Sequence, residues 1–298
     1  MLGSVQRATL IVNPYSSSVT DERIEAVEAV LRNRIDLQTL RTAAPRHAVE
    51  LARGAAADGA ILVYSGDGGF NEVLNGLDVD VPVGFVPGGR TNVLSRALGL
   101  PRDPIGAARQ VAEALERGRT RRISLGRVNG RRFAFAAGIG ADAELIRRID
   151  TWGRSPDGQL SGDVVAAWLL ARQLADHRGR YEAVLEVRAV GRAALVLVAN
   201  GSPSTFLGRV PLHLVPCARF ELGLDFVAPS SLRLGMVPAI VANAVRRRRN
   251  APFRYGHDLD LIEVVCDRLL PLQADGEDLG DIAGVTFEAE RSAVSVLV

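Results

Sequence analysis

The stretch that decides the fold runs from Gly59 to Glu72 and reads GAILVYSGDGGFNE. Its first part, Gly59 to Tyr64, is an apolar run without alternation, which is typical of a strand covered on both faces of a sheet. A glycine-rich turn from Ser65 to Gly69 follows and opens a helix. Glycines let a backbone approach an anion closely, and free N–H groups at a helix start point toward phosphate. The stretch therefore predicts a phosphate-binding strand–turn–helix unit, although Asp and Gly also favour an ordinary turn.

The rest of the first 120 residues repeats this alternation of strands and helices. Strands are predicted at 8–12, 37–40 and 82–86, and helices at 21–34, 45–57, 70–77 and 91–98. Such alternation predicts a parallel sheet with helices on both faces. Sheets of this kind bind ligands beyond the carboxyl ends of their strands, where the turns into helices lie.

After about residue 121 the pattern becomes that of antiparallel strands. Asn129-Gly130 is a two-residue hairpin signal. Strands are predicted at 122–128, 131–137, 181–190, 193–199, 220–227, 259–266 and 269–274, helices at 163–176 and 232–248, and a last hairpin pairs 285–290 with 293–298. The predicted domains are an α/β domain over 1–121 and an antiparallel β-sandwich over 122–285, with about 286–298 able to return to the first.

Composition and charge exclude several classes of function. All 36 basic residues are arginines, which excludes a P-loop NTPase with its GxxxxGK[ST] lysine, a protein kinase with its ATP-pairing lysine and a lysine Schiff-base enzyme. A formal charge of +2 gives no reason to expect a nucleic-acid partner. The run Arg246 to Arg249 ends a predicted helix, where cations complement the helix dipole, and attraction to anionic lipid is the alternative interpretation.

The cysteines and the hydropathy of the sequence indicate the cellular compartment in which the protein works. Cys217 and Cys266 lie far apart without metal-binding spacing, which is typical of thiols in a reducing environment. The N-terminus has no signal-peptide pattern, and the longest apolar run, 164–171, is far shorter than the ~20 residues that cross a bilayer. We therefore expect a cytoplasmic protein. The β domain could have exposed strand edges that pair between two chains, so a homodimer is possible.

Two further loops are predicted at the same sheet edge. Val86 to Asn92 (VPGGRTN) repeats the order of strand, glycine turn and helix, and Asn13 to Ser18 (NPYSSS) follows the first strand. Thr91 or Asn92 could simply cap a helix, and the hydroxyl-rich loop could be an ordinary turn. The convergence of three such loops at one edge favours a nucleotide site over three unrelated turns.

In order and spacing these motifs resemble the diacylglycerol kinase catalytic family, which includes bacterial lipid kinases and the sphingosine and ceramide kinases. The resemblance spans nearly the whole chain. It rests on the Asn13-Pro14 loop, the GDGG segment at 66–69, the PGG-x-TN segment at 87–92, the LGLP segment at 98–101, and Asp275-Gly276-Glu277. It implies an N-terminal nucleotide-binding domain related to the NAD kinases and a C-terminal β-sandwich that contributes to the lipid site.

The resemblance also implies roles for individual residues. ATP would contact the three loops and one further strand end through Asn13, Pro14, Ser16, Ser17, Thr42, Ser65, Gly66, Asp67, Gly68, Gly69, Asn71, Glu72, Gly88, Gly89, Arg90, Thr91 and Asn92. Asp67 lies among the glycines, where it could orient the loop or face Mg²⁺ on the phosphates. Asp275 would be the general base that accepts the proton of a lipid hydroxyl, and Glu277 would support the base or the metal.

The chain departs from the family pattern at three positions. Bacterial members have a GTxND segment where this chain has Arg90 in place of the threonine and Val93 in place of the aspartate. Arg90 could supply a charge-assisted contact to phosphate. Leu222 stands where an aspartate would hold a structural magnesium ion, which argues against that metal site here.

We therefore expect an ATP- and Mg²⁺-dependent lipid kinase that phosphorylates a hydroxyl of a diacylglycerol-like lipid or a long-chain base. Its membrane contact would be peripheral and transient. One alternative is a soluble-substrate kinase similar to the NAD kinases, against which Asp275, Glu277 and the LGLP segment argue. The other is a non-catalytic lipid- or nucleotide-binding module of the same fold, against which the retained carboxylates argue.

Overall fold

The computed structural model describes residues 6–56, 59–153 and 162–298. The chain forms two compact units. The first comprises the residues up to Leu125 together with Arg291–Val298, and the second comprises Gly126–Glu290. The boundaries expected from sequence were 121/122 and about 285/286.

The first unit alternates strands and helices. Its elements are β1 (Arg7–Val12), α1 (Asp21–Arg32), β2 (Asp36–Arg41), α2 (His47–Ala55), β3 (Ala60–Ser65), α3 (Asp67–Gly76), β4 (Pro82–Pro87), α4 (Val93–Ala97) and α5 (Pro104–Glu116). The strands pair in the order β2-β1-β3-β4, and every pair is parallel. The predicted parallel α/β fold is therefore confirmed. All six residues of β3 are buried, as its apolar run without alternation predicts.

Two helices of the first unit, α1 and α5, begin at a residue whose side chain caps them. Thr20 accepts a hydrogen bond from the backbone N–H of Arg23 and begins α1. Asp103 caps α5 in the same way, and Pro104 occupies the first turn. Helix α5 was not among the predicted helices, although its buried residues, among them Ala107, Val111 and Leu115, lie at helical spacing. The Asp-Pro pair was the missed start signal.

The second unit is built mainly from short strands. Its elements are β5 (Thr120–Val128, starting in the first unit), β6 (Arg131–Phe133), β7 (Ala136–Gly140), α6 (Ala141–Gly153), α7 (Gly162–Asp176), β8 (Arg180–Tyr181), β9 (Leu185–Val187), β10 (Gly191–Ala193), β11 (Leu195–Ala199), β12 (Thr205–Leu207), β13 (Val210–Leu212), β14 (Leu224–Ala228), β15 (Leu232–Arg233), a 3₁₀ turn (Leu234–Met236), α8 (Val237–Val245), β16 (Arg254–Leu259), β17 (Leu261–Ala274) and β18 (Glu277–Leu297). The order β16-β14-β11-β7-β17 is antiparallel throughout. The predicted antiparallel class is confirmed.

The core of the second unit lies between these strands. Phe133, Phe226 and Phe287 are its large, fully buried side chains. Phe133 and Phe287 meet edge to face with ring centroids 6.3 Å apart, an arrangement that aromatic pairs favour.

Several predictions for the second half are wrong in detail. The predicted C-terminal hairpin does not form, because β18 is one strand whose end leaves the second unit and pairs in parallel with β4, Ser295 with Pro82. That pairing buries Val296 and Leu297 in the first unit. The strands predicted at 259–266 and 269–274 are one strand with a register shift. The helix predicted at 232–248 begins only at Val237.

Helix α6 was also not predicted, although Leu145, Ile146, Ile149 and Trp152 recur in it at helical spacing. Among the residues that the structure describes, no helix is both long and apolar enough to cross a membrane.

Candidate functional site

Parallel pairing brings the predicted loops to one edge of the first-unit sheet. Val12 pairs with Tyr64 at the end of β1, and Ser65 pairs with Pro87 at the end of β4. The backbone N–H of Thr42 donates to the carbonyl oxygen of Val12 at 2.9 Å. The three glycine- or hydroxyl-rich loops therefore follow neighbouring strand ends, and Thr42 lies beside them at the end of β2.

The Asn13 to Ser18 loop is tied to the glycine-rich loop by hydroxyl groups. Ser16 Oγ lies 3.1 Å from Ser65 Oγ and accepts the backbone N–H of Gly66 at 3.3 Å. Asn13 Oδ1 accepts the backbone N–H of Tyr15 at 3.0 Å, which closes a turn at the start of this loop. The serines thus fix two strand ends relative to each other before any ligand binds.

Glycine is required where the second and third loops touch. A Cβ on Gly89 would lie 2.7 Å from the Cα of Gly66, and a Cβ on Gly66 would lie 3.2 Å from the Cα of Gly89. Backbone atoms cannot retreat from such a contact as a flexible side chain could. The Asn92 side chain braces the same turn, accepting from the N–H of Gly89 at 2.8 Å and donating to its carbonyl at 2.7 Å.

The glycine-rich loop ends at the N-terminus of α3. Gly66 is the N-cap and offers no side chain to the N–H groups of the first turn, Asp67 to Gly69. These groups have no acceptor within the helix and carry partial positive charge. A Cβ on Gly69 would lie 2.1 Å from Ser65 Oγ, so this turn also depends on glycine.

Asp67 points from this turn to the next loop. Its two carboxylate oxygens accept the backbone N–H groups of Val93 and Leu94 at 2.9 and 3.1 Å, which caps α4. The sequence also allows Thr91 or Asn92 as this cap, but in the structure the cap comes from Asp67. Burial raises the pKa of Asp67, and the hydrogen bonds from α4 oppose that rise.

A cavity of about 350 Å³ opens beside these loops within the first unit. Its lining is Ile11, Asn13, Tyr15, Thr42, Ala43, Ala44, Pro45, Ala48, Val63, Ser65, Gly69 and Glu72. The predicted site residues among these are Asn13, Thr42, Ser65, Gly69 and Glu72. Sequence reasoning missed the apolar wall at 43–45 and 48 and the exposed ring of Tyr15, although Tyr15 lies inside a loop that had been singled out. The lining combines mostly apolar residues with a few polar side chains, as small-molecule sites often do.

The remaining predicted nucleotide contacts are placed in different ways. Ser17, Arg90 and Thr91 are exposed on their loops, and Gly88 is buried. Asn71 is buried within α3, where Asn75 Nδ2 donates to its side-chain oxygen at 3.1 Å. Pro14 and Gly68 are partly buried within their turns.

In the second unit, Asp275 is an anchor for backbone amides. It is 6% exposed and occupies a left-handed conformation, φ 49°, in the turn between β17 and β18. Its Oδ2 accepts the N–H of Ala134 at 2.6 Å, and its Oδ1 accepts those of Phe135 and Ala136 at 3.0 and 3.1 Å. Three amide dipoles therefore stabilise the negative charge of this carboxylate.

Two further carboxylates lie near this turn in sequence or in space. Glu277 forms an ion pair with Arg131 at 2.6 Å and is partly exposed. Asp142 accepts the side-chain N–H of Gln273 at 2.7 Å, and burial raises the pKa of Asp142. Asp142 was not among the predicted site residues, although the segment 136–142 resembles the β-sandwich of the same family.

The described residues contain no group of three His, Cys, Asp or Glu side chains arranged to hold a metal ion. Near Leu222, the buried carboxylate of Asp225 accepts hydrogen bonds from Nδ1 of His257 at 2.8 Å and from the backbone N–H of Asp258 at 3.0 Å. Its charge is therefore compensated by protein groups.

Comparison with known proteins confirms the resemblance that the motifs indicated. Residues 7–128 match the model of the diacylglycerol kinase catalytic domain. The chain is 32% identical over 164 residues to the diacylglycerol kinase of Bacillus subtilis strain 168, covering 53% of each chain. It thus spans about half the length of the curated relatives it matches.

Two solved structures share the fold. A diacylglycerol kinase of Bacillus anthracis strain Sterne matches with a TM-score of 0.72 at 18% identity, covering 98% of this chain and 96% of that one. An NAD kinase from Archaeoglobus fulgidus in complex with ATP matches with a TM-score of 0.53 at 14% identity, covering 98% and 93%.

Proposed function

We propose that this chain, whose residues 7–128 match the diacylglycerol kinase catalytic domain, is an ATP-dependent lipid kinase. The observation that carries the proposal is the GDGG turn at the start of α3, fixed between two other loops at one sheet edge. The coarse class, a kinase of lipid alcohols, is supported by the relatives. The acceptor, the use of ATP and the catalytic base are our own inferences.

The triphosphate would bind where the N–H groups of Asp67 to Gly69 face outward. Partial positive charge at a helix start favours phosphate oxygens. Ser16 and Ser65 Oγ lie beside this turn and can donate to the same oxygens. Arg90, exposed on the adjacent loop, adds a full positive charge that can contact a phosphate oxygen. The nucleoside would occupy the neighbouring cavity against its apolar wall.

The acceptor hydroxyl would lose its proton to Asp275. The lipid oxygen forms a bond to the γ-phosphorus, the bond from that phosphorus to the ADP oxygen breaks, and the proton passes to the carboxylate. The three amides that hold Asp275 fix its position and its charge. Glu277 supports this role through the turn that the two residues share.

Mg²⁺ would enter this site on the nucleotide. Both oxygens of Asp67 already accept N–H groups of α4, so the described side chains do not form a ready-made metal site. The assays therefore supply Mg²⁺ together with ATP.

The test is transfer of label from [γ-³²P]ATP to diacylglycerol, to a long-chain base and to NAD, each supplied with Mg²⁺ and with the lipids in detergent micelles. We expect label in a lipid and none in NAD. Label in NAD instead would establish a soluble-substrate kinase. Saturable ATP binding without transfer to any acceptor would identify a binding module.

A further inference from the structure

The second unit carries an apolar surface on α8 that the proposed chemistry does not use. Leu234 in the preceding 3₁₀ turn is 54% exposed, and Val241 and Val245 are 37% and 44% exposed. With the exposed Pro238, these residues follow one another at helical spacing and form one outward stripe. From Leu234 to Val245 the chain has no charged residue. A helix on a protein surface normally turns such a stripe toward the core.

A hairpin beside α8 extends this surface. The backbone N–H of His213, just after β13, donates to the carbonyl of Ala244 at 3.0 Å, which holds hairpin and helix together. At the tip of the β12–β13 hairpin, Leu207 and Val210 are exposed on either side of Gly208-Arg209. The hairpin tip therefore repeats the character of α8, with large apolar side chains next to an arginine.

Positive charge surrounds the stripe without acidic partners. Arg233 precedes it, and Arg246 to Arg249 follow it at the C-terminus of α8, all exposed. From Phe226 to His257 the sequence contains no Asp or Glu. Within the described chain, the arginines of this stretch form no ion pair, although many arginines elsewhere do, such as Arg147 with Asp278 at 2.7 Å.

We propose that α8, its flanking arginines and the β12–β13 tip form a docking surface for an anionic lipid bilayer. The valine and leucine side chains enter the boundary between headgroups and acyl chains, and the arginines contact lipid phosphates. Charge complementarity selects this partner, because an apolar stripe flanked by arginines that form no ion pair with the described residues fits a surface that is apolar inside and negative outside. The proposal rests on these residues and does not require the kinase reaction.

The experiment measures binding of the whole protein, without ATP, to vesicles of phosphatidylcholine with and without about 30 mol % phosphatidylglycerol. We expect binding to the anionic vesicles that weakens with salt. The triple variant R246Q/R247Q/R248Q should bind them on the order of 100-fold more weakly, about fivefold for each arginine. V241E/V245E should reduce binding to background. The control V265E/L269E changes two side chains of β17 that are at least as exposed and should bind like the wild type.

Several results would overturn the proposal. These are absence of wild-type binding to anionic vesicles, unchanged binding in V241E/V245E, or an equal loss in the control. A wild-type dimer that V241E/V245E converts to a monomer, with vesicle binding unchanged, would assign the face to a second copy of the chain instead. Phosphate transfer to lipids in detergent micelles tests the kinase separately, so failure of docking and failure of the proposed function give different results.

Discussion

Replacement of Asp275 by asparagine tests whether this carboxylate is a structural anchor as well as the proposed base. Oδ1 accepts two backbone N–H groups and Oδ2 accepts one, that of Ala134 at 2.6 Å. An asparagine that keeps its oxygen at the Oδ1 position must place its amide nitrogen against the Ala134 N–H. One charge-assisted bond is then lost, a buried donor is left without its acceptor, and two bonds weaken from charged to neutral.

The expected loss of stability follows from these contacts. An unsatisfied buried donor costs about 1–3 kcal/mol, and each remaining bond loses about 1 kcal/mol when its acceptor becomes neutral. We expect Asp275→Asn to lower the free energy of unfolding by about 3–5 kcal/mol and the midpoint of thermal unfolding by about 10 °C. Glu277→Gln is the control, because its ion pair is partly exposed and such pairs contribute about 1 kcal/mol or less.

The assay combines thermal unfolding with turnover measured well below the lowered midpoint, where the variant is folded by circular dichroism. A wild-type midpoint in Asp275→Asn would refute the anchoring argument. Normal turnover per folded molecule would refute the base. We expect both a lowered midpoint and loss of phosphate transfer at low temperature.

Three further predictions concern other residues. Gly89→Ala should lower stability by about 1–3 kcal/mol and weaken ATP binding measured by calorimetry, because the new Cβ would lie 2.7 Å from the Cα of Gly66. The control is Gly54→Ala in α2, where a Cβ would have no atom within 4 Å, and this variant should be as stable as the wild type or more stable. At pH 8 a thiol reagent should label Cys217 before Cys266, because burial raises the pKa of the Cys266 thiol to about 11. Mass spectrometry identifies the labelled cysteine, and faster labelling of Cys266 would contradict the prediction. Burial raises the pKa of Asp67, so the folded protein binds a proton on this carboxyl more tightly than the unfolded chain does. The contribution of Asp67 to stability therefore falls as the pH rises from 3.8 through the raised pKa. Over that interval, the urea midpoint of Asp67→Asn should fall less steeply with pH than that of the wild type.

The fold of the first unit was predictable because its signals are local. Uninterrupted apolar runs such as 60–64 mark buried parallel strands, and Gly-Asp-Gly turns between strand and helix mark the sheet edge at which ligands bind. The loops meet at this edge because the carboxyl ends of parallel strands all lie on the same side of the sheet. The cavity wall at 43–45 could not be predicted, since alanines and a proline carry no chemical signal.

Predictions failed where pairing depends on distant residues. The last strand was read as a hairpin because residues near Ser292 resemble a turn, yet Ser295 pairs with Pro82 and completes a buried parallel sheet. The apolar period near 232–248 correctly indicated a helix, but a period cannot say whether its apolar side meets protein or remains exposed. In α8 that side is exposed, and only the structure shows it.

The two aspartates chosen for their chemistry, Asp67 and Asp275, share an unexpected property. Each uses both carboxylate oxygens to hold backbone amides of a distant segment, across 26 and 141 residues. A carboxylate fixed in this way is well oriented for catalysis, but its removal also releases a loop that the site needs. Loss of activity on substituting either residue therefore does not by itself identify a base or a metal ligand. The rate per folded molecule at low temperature removes the contribution of global unfolding, so that any remaining loss of activity arises at the site itself.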